Sequence, residues 1–158
     1  MPPRTLISAI AAGAAAGAAG TTALNAATYL DMSIRGRPTS DTPEKTVEAL
    51  ADKAGAHIPG EGDTRDNRVA GLGPLSGVLT GVGIGALAGA LRGLGLRLPL
   101  PLAGLLVGGA AMAGADIPMA ALGVTDPRSW PPSSWAADGV PHLVYGLVTV
   151  GVLRGLMR

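Results

Sequence analysis

The sequence predicts an all-α protein, a bundle of four transmembrane helices with a short amphipathic helix in the first loop. The chain has 158 residues, of which only 15% are charged, against about 25% in a typical soluble domain. Its mean hydropathy is +0.38. Four largely uncharged stretches approach or exceed the roughly 20 residues that cross a bilayer. The 25 glycines and the absence of phenylalanine favour close helix packing in lipid over a conventional soluble core.

The first predicted span covers residues 5–30, which carry no charge after Arg4. A secretory signal peptide is the alternative interpretation. The apolar run is longer than a signal peptide's hydrophobic region, however, and no clear cleavage site followed by a soluble domain appears. Gly13 and Gly17 form a GxxxG pair, which predicts a smooth face for helix packing.

A polar loop over residues 31–68 follows the first span. It contains six Lys/Arg and eight Asp/Glu residues. Thr42 followed by Pro43 is typical of a helix start. Apolar residues then recur on one face, so the loop is predicted to contain a short amphipathic helix that lies against the bundle or the lipid headgroups.

The second predicted span covers residues 69–91 and is rich in glycine. Glycine destabilises a soluble helix but is common in membrane helices, where it lets neighbours approach. Gly77 and Gly81 are therefore predicted to pack against another helix.

The third span is predicted over residues 99–122, and the fourth over residues 139–157. A Trp/Pro turn over residues 123–138 joins them. All four spans form one membrane domain. Two parallel repeats of a helical hairpin are possible, because shifts of 91 and 69 residues align small residues of the two halves: Gly13 with Gly104, Gly17 with Gly108, and Gly77 with Gly146.

Several classes of function are disfavoured by the sequence. A net charge of +1 argues against nucleic acid as a partner, because a nucleic-acid binder needs a basic face. With no cysteine, the chain has no disulfide and no thiolate nucleophile. No nucleophile–base pair, phosphate-binding loop or metal-ligand spacing is recognisable. We therefore expect no enzymatic activity, no metal and no cofactor.

Asp116 is the residue most indicative of function, because it is a carboxylate inside an apolar span. Such a group usually faces a partner or a wet cavity. Two hypotheses remain open. In the first, Asp116 bonds Asn25 or His142 and stabilises the bundle. In the second, it lines a ligand pocket with other polar residues of the spans; the candidates are Asn25, Tyr29, Asp116, His142 and Tyr145.

Trp130 and Trp135 flank the turn before the last span. Tryptophan is enriched at membrane–water interfaces, so both are predicted to be interfacial anchors. Lys and Arg are distributed almost evenly between the two sides of the predicted bundle. We favour cytoplasmic termini, because the long mixed-charge loop and the Trp/Pro turn are typical of an external face.

The chain resembles the YagU-like small bacterial inner-membrane proteins in its layout. The matching features are the polar loop after the first span and the D-x-x-P-H-L sequence at the start of the last one, Asp138 to Leu143. The resemblance implies a multi-pass location in the bacterial inner membrane and assigns no catalytic residue.

Three functional hypotheses follow. The first is an accessory or assembly subunit, which packs against other membrane proteins or itself within the lipid bilayer. The second is a small carrier or channel with a polar pocket around Asp116. The third is a lipid- or quinone-binding protein that uses the turn containing Trp130 and Trp135.

Overall fold

The computed structural model describes residues 5–158 and confirms the all-α, four-span fold class. Four of its helices are long and apolar enough to cross a membrane, which fits a multi-span membrane protein. The helices are α1 (Leu6–Arg35), α2 (Thr42–Lys53), α3 (Asp63–Gly93), α4 (Leu100–Ala121) and α5 (Pro132–Leu156), with a single 3-10 turn at Pro127–Ser129.

α1 and α3 extend beyond the predicted spans 5–30 and 69–91. With 30 and 31 residues at 1.5 Å per residue, each is about 45 Å long, whereas the hydrocarbon core is about 30 Å thick. The additional turns are the charged end of α1 and the charged start of α3. Charged residues form helices readily outside the hydrocarbon, so hydropathy locates the membrane boundary and not the helix end.

The start of α5 corrects the predicted turn over residues 123–138. The helix begins at Pro132, seven residues before the predicted start at 139, because proline has a backbone angle suited to a helix first turn. Pro141 lies inside α5 and is buried. Proline is tolerated within membrane helices because neighbouring groups satisfy the backbone. Trp135 and Asp138 are consequently helical.

The helices pack in a defined order, with α1 against both α3 and α5, and α4 against α5. α3 and α4 contact each other much less. Most buried residues of α1 are glycine or alanine. The largest fully buried side chains among residues 5–158 are Tyr145 and Thr149 of α5. Small residues therefore form most of this interior.

α1 and α3 approach each other through their backbones. A Cβ atom added at Gly17 would lie 2.5 Å from the Gly81 carbonyl oxygen, and one added at Gly85 would lie 2.5 Å from Gly17 Cα. A Cβ at Gly13 would lie 2.8 Å from Gly89 Cα. No real side chain fits at such distances, so glycine is required along this interface.

α4 and α5 also approach each other closely at glycines. A Cβ added at Gly146 would lie 2.5 Å from the Gly108 backbone nitrogen, and one at Gly108 would lie 2.5 Å from the His142 carbonyl oxygen. A Cβ added at Gly104 would lie 2.6 Å from Cδ2 of the Leu147 side chain, which can move more easily than a backbone. Each long hairpin of the bundle is thus closed by glycine contacts.

The prediction that Gly77 packs against another helix is wrong within this chain. This residue is exposed, and a Cβ added to it would meet nothing within 4 Å. Gly77 lies four residues before Gly81, but α1 does not approach it as it approaches Gly81. The 69-residue repeat correspondence also fails here, because its counterpart, Gly146, is buried against Gly108.

α2 lies across the first part of α3. A Cβ added at Gly73 would lie 3.0 Å from the Glu44 backbone nitrogen, so this glycine admits the start of α2. Arg65 of α3 bonds Glu48 of α2 at 2.6 Å. Leu50 of α2 is 46% exposed. The helix therefore rests on the bundle and also presents an apolar side chain outward.

Large apolar side chains cover the outside of the bundle. Ile7, Leu79, Leu105 and Ile117 are each at least 60% exposed. In water such an apolar surface would be unfavourable. In a bilayer these side chains contact lipid, which agrees with the four candidate spans.

Candidate functional site

Two ionisable residues of α5, Asp138 and His142, share one face of the helix. They are one turn apart, and His142 Nδ1 lies 3.2 Å from the Asp138 carboxylate oxygen Oδ1. The same nitrogen lies 2.9 Å from the Asp138 backbone carbonyl. Both neighbours are acceptors, so Nδ1 carries the hydrogen and donates it. In neutral His142, Nε2 is therefore the ring nitrogen that carries no hydrogen.

Asp116 of α4 faces this pair from the adjacent helix. Its carboxyl group is close enough to the Asp138 carboxyl and to His142 to interact electrostatically with both. The backbone beside it is loosened, because Pro118 lacks the N–H that would bond the Gly114 carbonyl. Asp116, Asp138 and His142 form one group, which we call the carboxyl–imidazole cluster.

The carboxyl–imidazole cluster contains two carboxylate oxygens without a donor. Asp116 Oδ1 and Asp138 Oδ2 are both buried, and neither accepts a hydrogen bond within residues 5–158. A buried polar atom without a partner is costly. Two adjacent carboxylates also repel each other when both are ionised. A proton held between them, or a cation, would remove both penalties.

The chemistry available to the cluster is reversible binding of a proton. Asp138 bonds His142 on one side and faces Asp116 on the other. A protonated carboxyl becomes a donor, so protonation of either acid supplies the missing hydrogen bond. Within residues 5–158, no group of three His, Cys, Asp or Glu residues has the arrangement of a metal site.

Asn25 and Tyr29 lie away from the carboxyl–imidazole cluster. Both are exposed on α1, and Tyr29 is 61% exposed. Within residues 5–158, no side-chain hydrogen bond joins Asn25 to Asp116. Asp116 is therefore paired with α5 and not with α1, and the proposed pocket loses these two members. α1 is rotated about its axis so that its glycine face, and not Asn25, points into the bundle.

Tyr145 has a structural position at the bundle centre. It is 1% exposed, and its hydroxyl donates to the Gly81 carbonyl at 2.6 Å. The ring also lies beside Gly20, where a Cβ would come within 2.8 Å of Tyr145 Cδ2. This side chain links α5 to α1 and α3, so we assign it to packing rather than to a ligand pocket.

The Tyr145→Phe variant should be less stable than the native chain by about 1 kcal/mol, since it loses one buried hydrogen bond. Tyr29→Phe is the matched control, because Tyr29 is exposed. Thermal unfolding in detergent measures both. Equal melting temperatures for the two variants would show that the Tyr145 hydroxyl contributes nothing to stability.

Trp130 and Trp135 form an aromatic pair at the start of α5. Their ring centroids are 5.1 Å apart, with the rings tilted at 58°. Trp130 Nε1 donates to Thr125 Oγ1 at 2.8 Å, and Trp135 is 44% exposed. Their role as interfacial anchors stays a prediction.

Asp138 is the site residue that the sequence analysis did not include among its pocket candidates. The sequence placed it in a turn, where an exposed carboxylate is ordinary. Its spacing of four residues from His142 was the available signal, because that spacing puts both side chains on one helix face. The signal applies only if the helix continues through Pro141, which it does.

Comparison with known protein families, curated proteins and solved structures finds no match to this chain. The resemblance to YagU-like proteins therefore stays a prediction.

Proposed function

We propose that this protein is a small proton-coupled membrane carrier without enzymatic activity of its own. The observation that carries the proposal is the pair of buried carboxylate oxygens, Asp116 Oδ1 and Asp138 Oδ2, that lack a donor beside His142. Ionisable residues inside membrane helices commonly mark proton relays and ion pathways. In this role the cluster binds a proton in one state and exchanges it for a cation in the other.

The position of the cluster supports this role. Asp116 lies in the last two turns of α4, and Asp138 in the second turn of α5. Both therefore lie near the loop-side end of the spans, where water has short access. The cluster contains two acids and one histidine, and this excess of acidic groups favours a positively charged partner. A cation is therefore the expected class of exchanged substrate.

The test is proton movement in liposomes that contain the purified protein and a trapped pH-sensitive dye. A pH gradient is imposed, and sodium, potassium or a small organic ammonium ion is added separately. We expect one of these cations to accelerate proton movement relative to empty liposomes. Proton movement that no cation changes would contradict the carrier.

An accessory or assembly subunit is the second candidate, favoured by glycines that contact nothing. A Cβ added at Gly71, Gly77 or Gly83 of α3 meets no atom within 4 Å. Each such glycine costs a helix about 0.5–1 kcal/mol relative to alanine, and intramolecular packing does not offset that cost. Close approach of another membrane protein would offset it. Stoichiometric co-purification with a larger complex in a mild detergent supports this candidate.

For localisation we propose a bacterial inner membrane with cytoplasmic termini. Cysteines introduced at Glu61, in the loop between α2 and α3, and after Arg158 should then lie on opposite faces. Glu61 is exposed, so a cysteine there is accessible. We expect an impermeant maleimide to label only the Glu61→Cys site in intact cells. Labelling of the C-terminal site alone would reverse the orientation.

A further inference from the structure

Three arginines gather at the end of the bundle opposite the carboxyl–imidazole cluster. Arg92 ends α3, Arg97 lies in the link to α4, and Arg154 lies in the last turn of α5. Arg97 and Arg154 are both close enough to Arg92 to repel it. None of the chain's acidic side chains belongs to residues 92–115 or 139–158. Like charges held together in this way favour binding of an anion.

The hydrogen bonding of these arginines leaves donors available. Arg154 donates to the Leu98 carbonyl, which fixes its side chain across the link. Arg92 Nε is buried and has no acceptor within residues 5–158. A guanidinium has five N–H donors and binds phosphate oxygens in pairs. An anion with several oxygens would supply the missing acceptor.

An apolar cleft descends from the arginines between α3 and α4, with α5 as its floor. Its volume is about 170 Å³, and Arg92 and Arg154 are part of its wall. The cleft exists because α3 and α4 contact each other much less than the α1–α3, α1–α5 and α4–α5 pairs do. It extends along α3 from Arg92 to Ile84, a length of about 12 Å at 1.5 Å per residue. The remaining wall is aliphatic, for example Leu91, Leu106 and Leu153.

We propose that this cleft binds an anionic phospholipid, with its phosphate on Arg92 and Arg154 and one acyl chain between α3 and α4. The charge pattern and the shape of the cleft both support that occupant. The phosphate matches the arginine group, and an acyl chain matches the aliphatic groove. The groove also opens to the surrounding lipid, since Leu87 and Leu106 are each more than half exposed. Basic pockets between membrane helices bind anionic headgroups in this way.

The proposal is independent of the carrier function, because it concerns other residues at the opposite end of the bundle. It also differs from the lipid or quinone hypothesis, which placed a ligand at Trp130 and Trp135. Zwitterionic lipid fits the groove equally well but offers the arginines no net negative charge. Free phosphate satisfies the arginines but leaves the groove empty. These two alternatives define the comparisons that test the proposal.

The experiment is native mass spectrometry of the purified, delipidated chain titrated with three probes. The probes are phosphatidylglycerol, phosphatidylcholine with the same acyl chains, and inorganic phosphate. We expect phosphatidylglycerol to bind at least about fivefold more tightly than phosphatidylcholine, since one basic side chain near a membrane contributes about that factor. Phosphate alone should bind far more weakly than phosphatidylglycerol. Equal binding of both lipids, or phosphate binding as tight as that of phosphatidylglycerol, would overturn the proposal.

The variant that locates the site is Arg92→Gln, because Arg92 Nε has no acceptor to lose. Arg128→Gln is the matched control; it removes the same charge from an exposed residue of the 3-10 turn. Arg92→Gln should weaken phosphatidylglycerol binding about fivefold, while Arg128→Gln should leave it unchanged. Arg92→Lys, which keeps the charge, should recover part of the affinity. An equal loss in Arg92→Gln and Arg128→Gln would show a nonspecific charge effect and overturn the site. If Arg92→Gln fails to fold, the lipid comparison on the native chain still decides.

Discussion

Replacing Gly85 with alanine should lower the free energy of unfolding by about 1–3 kcal/mol, the usual cost of forcing extra atoms into a packed interior. The new Cβ would lie 2.5 Å from Gly17 Cα and 2.7 Å from Gly17 N. Both atoms belong to the backbone, so α1 must move away as a whole. Separation of the two helices would also disturb the contacts of Gly13 and Gly81 on either side. Unfolding of the purified protein in mixed micelles measures the loss.

The control is the same substitution on the same helix at Gly77, where an added Cβ meets nothing within 4 Å. Alanine is a better helix former than glycine by about 1 kcal/mol. Gly77→Ala should therefore be neutral or stabilising, and the two alanine variants should shift stability in opposite directions. If Gly85→Ala were as stable as Gly77→Ala, close approach of α1 and α3 would be excluded.

Replacing Asp116 with asparagine should abolish cation-dependent proton movement in liposomes and leave the fold intact. Asparagine keeps the shape of the side chain and can donate a hydrogen bond to Asp138, but it cannot exchange a proton. Proton coupling needs an ionisable group in the membrane, so the loss of activity should be complete. Asp52→Asn is the control, because Asp52 is an exposed carboxylate of α2.

A second variant separates charge from structure at the same position. Asp116→Leu removes the hydrogen-bonding group as well, which should lower stability by about 1–3 kcal/mol. A purely structural role for Asp116 would give a stable Asp116→Asn protein with undiminished proton movement. That result would end the carrier proposal and favour an accessory role.

The fold class was predictable from the sequence because it depends on average properties. Long runs without charge can cross a membrane only as helices, since their backbone groups must be satisfied internally. The amphipathic helix in the loop was also predictable, from Thr42, Pro43 and the apolar spacing after them. These features need no knowledge of which helices touch.

Which side of each helix points into the bundle was not predictable from the sequence. α3 carries glycine on several sides, so neither Gly77 nor Gly81 is distinguished by sequence, and only contact with α1 decides between them. Asn25 resembled an interior partner for Asp116, but the glycine face of α1 directs it outward. The position of Asp138 within α5 was not predicted, because a proline such as Pro141 usually marks a helix start and not a helix interior. The membership of the candidate site therefore depended on the rotation and length of individual helices.

The close contact between α1 and α3 has one further consequence, for the attraction between them. A glycine carries a second α-hydrogen where other residues carry Cβ, and at Gly17 that direction points at the Gly81 carbonyl oxygen. The same holds in reverse, from Gly85 toward the Gly13 carbonyl. These are the positions of weak Cα–H···O hydrogen bonds, each worth about 0.5–1 kcal/mol. Where their glycines meet, the two helices thus attract each other in lipid through carbon-bound hydrogens, an attraction that does not depend on water.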